Sequence, residues 1–148
     1  MRVLVQRVNN ANVKVEGEIL GQIKEGLLLF VGFKEGDGIE EIQYMVRKIL
    51  NARIFSDEDG KMNLNVSQVK GKILSISQFT LYAKTKKGNR PSFSEAQNPA
   101  EANQNYELFN DELRKNNIEV QTGEFGADMK VELVNDGPVT IMYDTDEA

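Results

Sequence analysis

The side chains of SQFTL, residues 77–81, are the first candidates for chemistry in this sequence. Ser77 and Thr80 carry hydroxyl groups and Gln78 an amide, but a hydroxyl nucleophile normally needs an adjacent base. The chain has no histidine and no cysteine, which excludes a Ser-His-Asp arrangement, a cysteine nucleophile and most transition-metal sites. Thr80 could equally be a good strand residue and nothing more. Any catalysis must therefore rest on backbone donors, on positioned water or on a group that the substrate supplies.

Four basic residues lie close together in YAKTKKGNR, residues 82–90: Lys84, Lys86, Lys87 and Arg90. They could form an anion site, although a solvated loop explains the same pattern equally well. Lys84 or Lys86 could act as a base only if desolvated, and both are expected to be exposed. The net charge of −5 argues against broad nucleic-acid binding, which needs a basic footprint, but it leaves room for a local one.

Two glycine-containing segments could bring backbone close to a ligand. NDGPVT, residues 135–140, places Gly137-Pro138 between two extended runs, where a proline removes a ladder donor and fixes φ. The segment is either a plain turn or a stretch of backbone that is exposed so that its own groups can bind a ligand. GEFGAD, residues 123–128, sets two glycines around Phe125. Neither segment matches a P-loop or a dinucleotide fingerprint.

The strands that must position these groups follow from hydrophobic periodicity. In the strand expected over 72–83, alternation puts Ser77 and Phe79 on one face and Gln78 and Thr80 on the other. The chain after residue 117 is extended again. The other strands are expected at 2–8, at 12–23 as a hairpin turning at Glu16-Gly17, at 26–33 as a strand buried on both faces, and at 53–55.

Two helices are predicted. Asp37 and Glu40 form a D-x-x-E capping box that opens a helix running to about residue 50. Asn98-Pro99 opens a second, which ends at Asn116-Asn117. Because strands dominate without regular βαβ alternation, we expect an α+β fold with a mainly antiparallel, barrel-like sheet core and two peripheral helices. The length and the lack of any linker indicate one domain over 1–148.

The opening MRVLVQRV is too short and too polar for a signal peptide, and no apolar run reaches membrane-spanning length. A cytoplasmic protein without a membrane partner is therefore expected.

Taken together, these segments resemble the D-aminoacyl-tRNA deacylase family, historically called D-tyrosyl-tRNA deacylase. The resemblance runs from end to end of the chain, in the family's order and spacing. SQFTL and N-x-GPVT are the two signature motifs of the family. The other matching segments are RVLVQRV, IFSDEDGKMNLNV, KKGNRPSF and GEFGADM.

The resemblance implies a homodimer with its active site at the subunit interface. Such an enzyme hydrolyses the ester between a D-amino acid and the 3′-terminal adenosine of tRNA, without a metal or another cofactor. Gly137-Pro138 matches a cis dipeptide that one subunit inserts into the pocket of the other. Main-chain carbonyls there would hold the α-ammonium group, and the Cβ of an L-amino acid would collide with the backbone. Glycine would escape this rejection, so glycyl-tRNA is an expected secondary substrate.

The resemblance also implies roles for SQFTL, which would line the pocket for the adenosine and the ester. Thr80 matches a threonine that is either a nucleophile or a positioning residue, and the missing base favours positioning. Backbone N–H groups near Phe79 and Thr80 would stabilise the oxyanion, and Gln78 and Ser77 would orient the substrate or support the strand.

Phe125 and Met129 match pocket-wall positions that pack against the adenine. The basic loop with Lys84, Lys86, Lys87 and Arg90 would follow the phosphates of the acceptor end. This loop departs from the family's commonest pattern, because Lys84 replaces an acid and Lys86 an arginine. A bidentate arginine contact would be weakened there.

Two alternatives remain open from the sequence. One is a related deacylase whose main duty is to clear glycine mischarged on tRNA. The other is a non-catalytic tRNA-binding protein that uses the same pocket, which predicts binding without release of amino acid and tolerance of changes at Gly137 and Pro138. The acidic charge balance counts mildly against the binding protein.

Overall fold

The structure is a computed structural model that describes residues 1–148. Short 3-10 turns at Phe79–Tyr82 and Thr145–Glu147 accompany eight strands and two α-helices. The strands are β1 (Arg2–Val15), β2 (Glu18–Ile23), β3 (Gly26–Gly32), β4 (Phe55–Ser56), β5 (Met62–Leu64), β6 (Lys72–Ser77), β7 (Val120–Thr122) and β8 (Lys130–Asp144), and the helices are α1 (Ile39–Leu50) and α2 (Pro99–Arg114).

The sheet is organised around the long strand β1. Along one edge β1 pairs antiparallel with β8, and along the other it pairs first with β3 and then, past residue 10, with β2. From β3 the sheet continues through β6 to β7 in the order β2-β1-β3-β6-β7. The expected hairpin at Glu16-Gly17 is confirmed, because Val15 pairs with Glu18.

The sheet curls until its two ends nearly meet. A Cβ atom added at Gly21 in β2 would lie 2.8 Å from the carbonyl oxygen of Thr122 in β7. The predicted barrel-like α+β fold with two helices is therefore confirmed. The sheet is mixed, however, since β3–β6 and β6–β7 pair in parallel. Parallel neighbours need long crossovers, which local periodicity does not reveal.

Apolar side chains fill both faces of the curled sheet. Leu27 and Leu29 of β3 pack in the cluster between the sheet and the helices. Leu28, between them, packs in a second cluster inside the curl with Val13 and Ile76. This division explains the uninterrupted apolar run of β3, and the prediction of a strand buried on both faces is confirmed.

The two helices begin in different ways. Asn98 caps α2 as predicted, because its Oδ1 accepts hydrogen bonds from the N–H groups of Ala100 and Glu101 at 3.0 and 3.2 Å. The capping box predicted for α1 is wrong. Gly38 is the N-cap residue and supplies no side chain, while the Asp37 carboxylate lies 2.7 Å from the Met1 ammonium group. Neither helix is long and apolar enough to cross a membrane.

Candidate active site

A recess of about 550 Å³ opens beside the carboxyl ends of β3 and β6. One wall is the end of β6 with the turn that follows it. The opposite wall is the segment that leads into β8. The lining side chains are mostly apolar: Val31, Gly32, Phe33, Ile76, Ser77, Gln78, Phe79, Phe93, Ala96, Gln97, Asn98, Pro99, Ala102, Phe125, Gly126, Ala127, Asp128, Met129 and Val131.

The SQFTL segment bends where the sequence predicts a continuing strand. β6 ends at Ser77, and Phe79–Tyr82 forms a 3-10 turn. The Gln78 N–H still donates to the carbonyl oxygen of Val31 at 2.7 Å. Gly32 makes room for the bend, since a Cβ atom there would lie 2.8 Å from the Gln78 carbonyl oxygen. The predicted strand over 72–83 is therefore wrong beyond Ser77, and so is the alternation of faces at Phe79 and Thr80.

The bend separates the four residues predicted to be catalytic. Ser77, Gln78 and Phe79 line the recess, whereas Thr80 is exposed and does not. The Gln78 Nε2 group donates to the Thr80 Oγ1 atom at 2.5 Å. No lysine and no carboxylate hydrogen-bonds the Thr80 hydroxyl, so nothing in the chain is placed to remove its proton.

Only one ionisable side chain, Asp128, lines the recess. Its carboxylate is 87% exposed and pairs with Lys130 at 3.1 Å. A carboxylate so fully solvated and already paired with Lys130 is poorly placed to act as a general acid or base on a bound substrate. The recess therefore offers mainly shape, apolar surface and backbone groups, and its one carboxylate is exposed and paired.

Phe125 and Met129, for which the resemblance implied a contact with the adenine, both line the recess. Phe125 packs against Tyr106 of α2, with 6.1 Å between ring centroids. The Tyr106 hydroxyl donates to the Ser75 carbonyl oxygen at 2.6 Å, and burial raises the pKa of Tyr106. A Cβ atom at Gly123 would lie 2.6 Å from the Met129 sulfur. The absence of a side chain at Gly123, the first glycine of GEFGAD, therefore leaves room for the Met129 side chain.

The sequence reasoning missed two residues of the recess, Phe93 and Gln97. Phe93 meets the ring of Phe79 edge-on at 5.1 Å between centroids, and both rings are exposed. Gln97 is buried, and its Nε2 group donates to the carbonyl oxygen of Asp37 at 3.1 Å. Phe93 lies in RPSF, directly after the basic loop, which is the one signal that could have located it.

The basic loop directly precedes Phe93, which lines the recess, but none of its four basic residues lines the recess itself. Its base is closed by Lys84 and Ser92, whose backbone groups exchange hydrogen bonds at 2.7 and 2.9 Å. The Lys84 ammonium group pairs with Glu95 at 3.4 Å. Lys86, Lys87 and Arg90 are exposed and form no ion pair within the chain. These three cations therefore have no carboxylate partner within the chain.

Gly137 and Pro138 do not line the recess of their own chain. They project from the middle of β8 as a bulge, since Gln6 pairs with Thr140 and Val8 with Asn135. Residues 136–139 thus lie opposite a single residue of β1. The Gly137–Pro138 peptide bond is cis. NDGPVT is therefore neither a hairpin turn nor a regular strand, and both of its central residues are exposed.

Arg7 and Asn135 hold the bulge in place. Arg7 is buried, and its Nε and Nη1 groups donate to the carbonyl oxygens of Asp136 at 3.0 Å and Ile54 at 2.7 Å. The Asn135 Oδ1 atom accepts the N–H of Val139 at 3.0 Å, across the base of the bulge. The sequence drew attention to Asn135 as the first residue of N-x-GPVT but gave it no role, and it gave none to Arg7, because only the fold shows that β1 passes beneath NDGPVT.

Comparisons with known proteins agree over nearly the whole chain. Residues 4–144 match the family model described as D-Tyr-tRNA(Tyr) deacylase. Two curated relatives named D-aminoacyl-tRNA deacylase, from two strains of Lactobacillus delbrueckii subsp. bulgaricus, are each 58% identical over 144 residues, which is 97% of this chain and 99% of theirs.

Two solved structures share the architecture. The c-Myc DNA unwinding element binding protein superposes with a TM-score of 0.92 at 41% identity, over 98% of this chain and 99% of its own. A probable eukaryotic D-amino acid tRNA deacylase superposes with a TM-score of 0.81 over 96% of this chain and 97% of its own. Its identity is 17%, so that likeness shows the fold alone.

Proposed function

This chain belongs to the D-aminoacyl-tRNA deacylase family, and from that premise we propose that it hydrolyses the ester between a D-amino acid and the 3′-terminal adenosine of tRNA. Water adds to the ester carbonyl, the bond to the ribose oxygen breaks, and a D-amino acid and free tRNA result. The observation that carries this proposal is the recess, which Ser77, Gln78 and Phe79 line and whose one ionisable side chain, Asp128, is exposed to solvent and paired with Lys130.

The chemistry rests on backbone groups and on the substrate. The first N–H groups of a helical turn have no intrahelical acceptor, and Phe79 and Thr80 occupy those positions. Their N–H groups stabilise the oxyanion, a contribution usually worth about 3–4 kcal/mol. The 2′-hydroxyl of the terminal ribose assists the attacking water, because the chain provides no base. Gln78 and Ser77 orient the substrate, and the side chain of Thr80 acts only through its hydrogen bond with Gln78.

The nucleotide is held by stacking and by charge. Phe125 and Met129 pack against the adenine, and base–aromatic stacking typically contributes about 1–3 kcal/mol. Lys86, Lys87 and Arg90 follow the phosphates of the acceptor end, with Lys84 at the base of their loop. This support is local, which is compatible with a chain whose overall charge is negative.

The site is completed by a second copy of the chain. Gly137 and Pro138 project from a rigid bulge but do not line their own recess, so a symmetric pair would place each bulge in the facing recess. A row of apolar side chains supports such a contact. Leu4 pairs with Phe30 on one side and with Met142 on the other, and Met142 is 45% exposed.

The inserted bulge selects the hand of the substrate. The main-chain carbonyls of Gly137 and Pro138 of the partner subunit accept hydrogen bonds from the α-ammonium group, whatever the side chain is. The Cβ of an L-amino acid would then meet backbone, which excludes that enantiomer sterically. Glycine has no Cβ, so the enzyme also releases glycine from mischarged tRNA. Both reactions belong in the cytoplasm, where aminoacyl-tRNA is used.

The test is release of labelled amino acid from matched D-tyrosyl-tRNA, L-tyrosyl-tRNA and glycyl-tRNA, with and without a chelator. Release of the D-form and of glycine, with the L-form retained and no effect of the chelator, is expected. Equal release of both enantiomers would contradict the selector. The ratio of glycine release to D-tyrosine release decides whether glycine clearance is the main duty.

A non-catalytic nucleic-acid-binding protein is the second candidate. It is favoured by one observation, that a relative with 41% identity is named for binding a DNA unwinding element. This candidate predicts that the protein binds tRNA but releases amino acid from none of the three aminoacyl-tRNAs faster than buffer alone.

A further inference from the structure

The 3-10 turn at Phe79–Tyr82, which follows β6 beside the recess, is held weakly by its own hydrogen bonds. The bond from the Leu81 N–H to the Gln78 carbonyl oxygen is long, at 3.4 Å, and no side chain caps the start of the turn. A turn of this kind has poorer hydrogen-bond geometry than an α-helix and gains little rigidity from its own backbone. Its orientation at the recess therefore depends on contacts from outside the turn.

Arg2 supplies two such contacts at the far end of the turn. Its Nη1 group donates to the Leu81 carbonyl oxygen at 2.8 Å. The last carbonyl groups of a helical turn have no partner within it, and arginine side chains commonly bind them. The guanidinium carbon of Arg2 also lies 4.5 Å from the centre of the Tyr82 ring, over a face that attracts a cation. Arg2 thus contacts two of the four residues that form the turn.

The pairing of the strands brings Arg2 to this place. Arg2 is opposite Gly32 of β3 and opposite Asp144 of β8, and directly opposed residues of antiparallel strands have their side chains on the same face. Gly32 has no side chain, and a Cβ atom there would lie 3.2 Å from the Leu81 Cβ atom. The glycine that lets the chain bend at Gln78 therefore also leaves the space in which Leu81 lies within reach of Arg2.

Asp144 fixes the direction of the Arg2 side chain. Its Oδ2 atom accepts a hydrogen bond from the Arg2 Nε group at 2.9 Å, and its Oδ1 atom accepts one from the Asp146 N–H at 2.9 Å. Burial alone would raise the pKa of Asp144, but these hydrogen bonds and the charge of Arg2 outweigh it and hold the pKa below its usual range. Because the guanidinium group is planar, a carboxylate at Nε and a carbonyl at Nη1 leave it little freedom to turn.

We propose that Arg2 is a positioning residue for deacylation, which fixes the turn Phe79–Tyr82 in the orientation that the ester requires. The proposal rests on the function given above, in which the Phe79 and Thr80 N–H groups stabilise the oxyanion. Arg2 does not line the recess, so it acts through the turn and not on the substrate. Since the oxyanion exists only after water has added to the ester, a displaced turn should slow the chemical step more than it weakens binding of the substrate.

The first test is Arg2→Met, which keeps a long unbranched side chain and removes the guanidinium group. At saturating protein, and well below the unfolding temperature, we expect the single-turnover rate of D-tyrosine release to fall about tenfold or more. The protein concentration that gives half of the maximal rate should change by less than about twofold. Arg2→Lys should recover part of the rate, because lysine keeps the charge but cannot donate in two directions from a planar group.

The matched control is Arg114→Met. Arg114 makes the same kinds of contact far from the turn, since it donates to the Asp111 carboxylate at 3.2 Å and to the Val120 carbonyl oxygen at 2.9 Å. This variant should keep the rate of the unmodified protein. An equal loss in Arg2→Met and Arg114→Met would reduce the role of Arg2 to general stability and would overturn the proposal. An unchanged rate with a higher half-saturating concentration would make Arg2 a tRNA contact, and would overturn it too.

The second test uses the tRNA-free protein, so that it does not depend on deacylase activity. NMR relaxation gives the order parameters of the Phe79 and Thr80 N–H groups. In Arg2→Met these should fall from about 0.85, the value of rigid backbone, towards 0.6, and in Arg114→Met they should not change. Order parameters that stay in the rigid range in Arg2→Met would overturn the proposal. If the unmodified protein releases no D-tyrosine, the proposed function fails, and the order parameters alone decide whether Arg2 fixes the turn.

Discussion

The recess and the bulge differ in almost every physical respect. The recess is concave and apolar, and its walls come from segments far apart in the chain, among them Gly32, Ser77 and Phe125. The bulge is convex and consists of backbone, and it is made by one strand over residues 136–139. The recess offers volume for a ligand, whereas the bulge offers carbonyl groups fixed from below by Arg7.

In the function proposed above, the two regions together make one site that selects its substrate through shape and backbone groups. The recess has volume but no fixed carbonyl groups of the kind that the bulge presents, and the bulge has no cavity. Gly137 and Pro138 of the bulge do not line the recess of their own chain. The proposed selection by backbone position requires a rigid bulge, and the buried Arg7 holds the bulge from beneath the exposed Gly137 and Pro138. Substitutions that disturb the bulge, at Gly137 or Arg7, are therefore expected to cost more activity than substitutions at Thr80 or Asp128.

Gly137→Ala should have the largest effect on activity. Gly137 has φ +128°, and a Cβ atom would lie 2.9 Å from both the Arg7 Nη2 and the Val139 Cγ2 atoms. The bulge must then move, and a displacement of about 1 Å in a positioning group can cost about 100-fold in rate. The value of kcat/KM for D-tyrosyl-tRNA measures the loss. Gly17→Ala is the matched control, because Gly17 also has positive φ but open space around it; an equal loss in both variants would contradict the account.

Arg7→Lys should reduce both stability and activity, to a smaller degree. Lysine keeps the charge but cannot donate in two directions from a planar group. One buried carbonyl, of Asp136 or Ile54, would lose its partner, at a cost of about 1–3 kcal/mol in the free energy of unfolding. Urea denaturation and deacylation kinetics measure the two effects. Arg53→Lys, at an exposed site, should change neither; an unchanged unfolding midpoint in Arg7→Lys would show that the bulge is not held from below.

Thr80→Ala should lower the single-turnover rate by less than about tenfold, the range expected for loss of one neutral hydrogen bond. The reason is that Thr80 lies outside the recess and bonds only Gln78. Thr80→Ser, which keeps the hydroxyl, should restore the rate. A loss of several orders of magnitude in Thr80→Ala would instead make Thr80 the nucleophile.

Asp128→Asn should leave the rate unchanged within error. Asp128 is the only ionisable side chain of the recess, and it is exposed to solvent. If the variant is inactive but binds tRNA normally, Asp128 acts as a general base. The proposal that the recess contributes only shape and backbone groups would then be wrong.

The sequence predicted most of the elements, because periodicity is a local property. Both helices and the hairpin at Glu16-Gly17 follow from spacing and turn residues alone. The failures all involve partners distant in the chain. Asp37 has the pattern of a capping residue, but its carboxylate is taken by the Met1 ammonium group. The SQFTL segment has the pattern of a strand, but the space above Gly32 lets it bend.

The candidate site was predictable only in part, for the same reason. The resemblance named Phe125 and Met129, and the fold places both in the wall of the recess with Ser77 and Gln78. It could not name Phe93, which enters through the loop that follows the basic cluster. Nor could it name Arg7, whose role exists only because β1 runs beneath the bulge.

The most direct test of the central claim, that recess and bulge cooperate between two subunits, is complementation. Gly137→Ala has an altered bulge and an intact recess. Ala127→Trp fills the recess, which Ala127 lines, and leaves the bulge intact. Each variant alone should be nearly inactive. When the two variants are mixed in equal amounts and reassembled, random pairing places half of the chains in mixed dimers. Each mixed dimer has one intact site out of two, so about a quarter of full activity should return. If mixed dimers form but release no D-tyrosine beyond the sum of the separate variants, the site lies within one chain and the account is wrong.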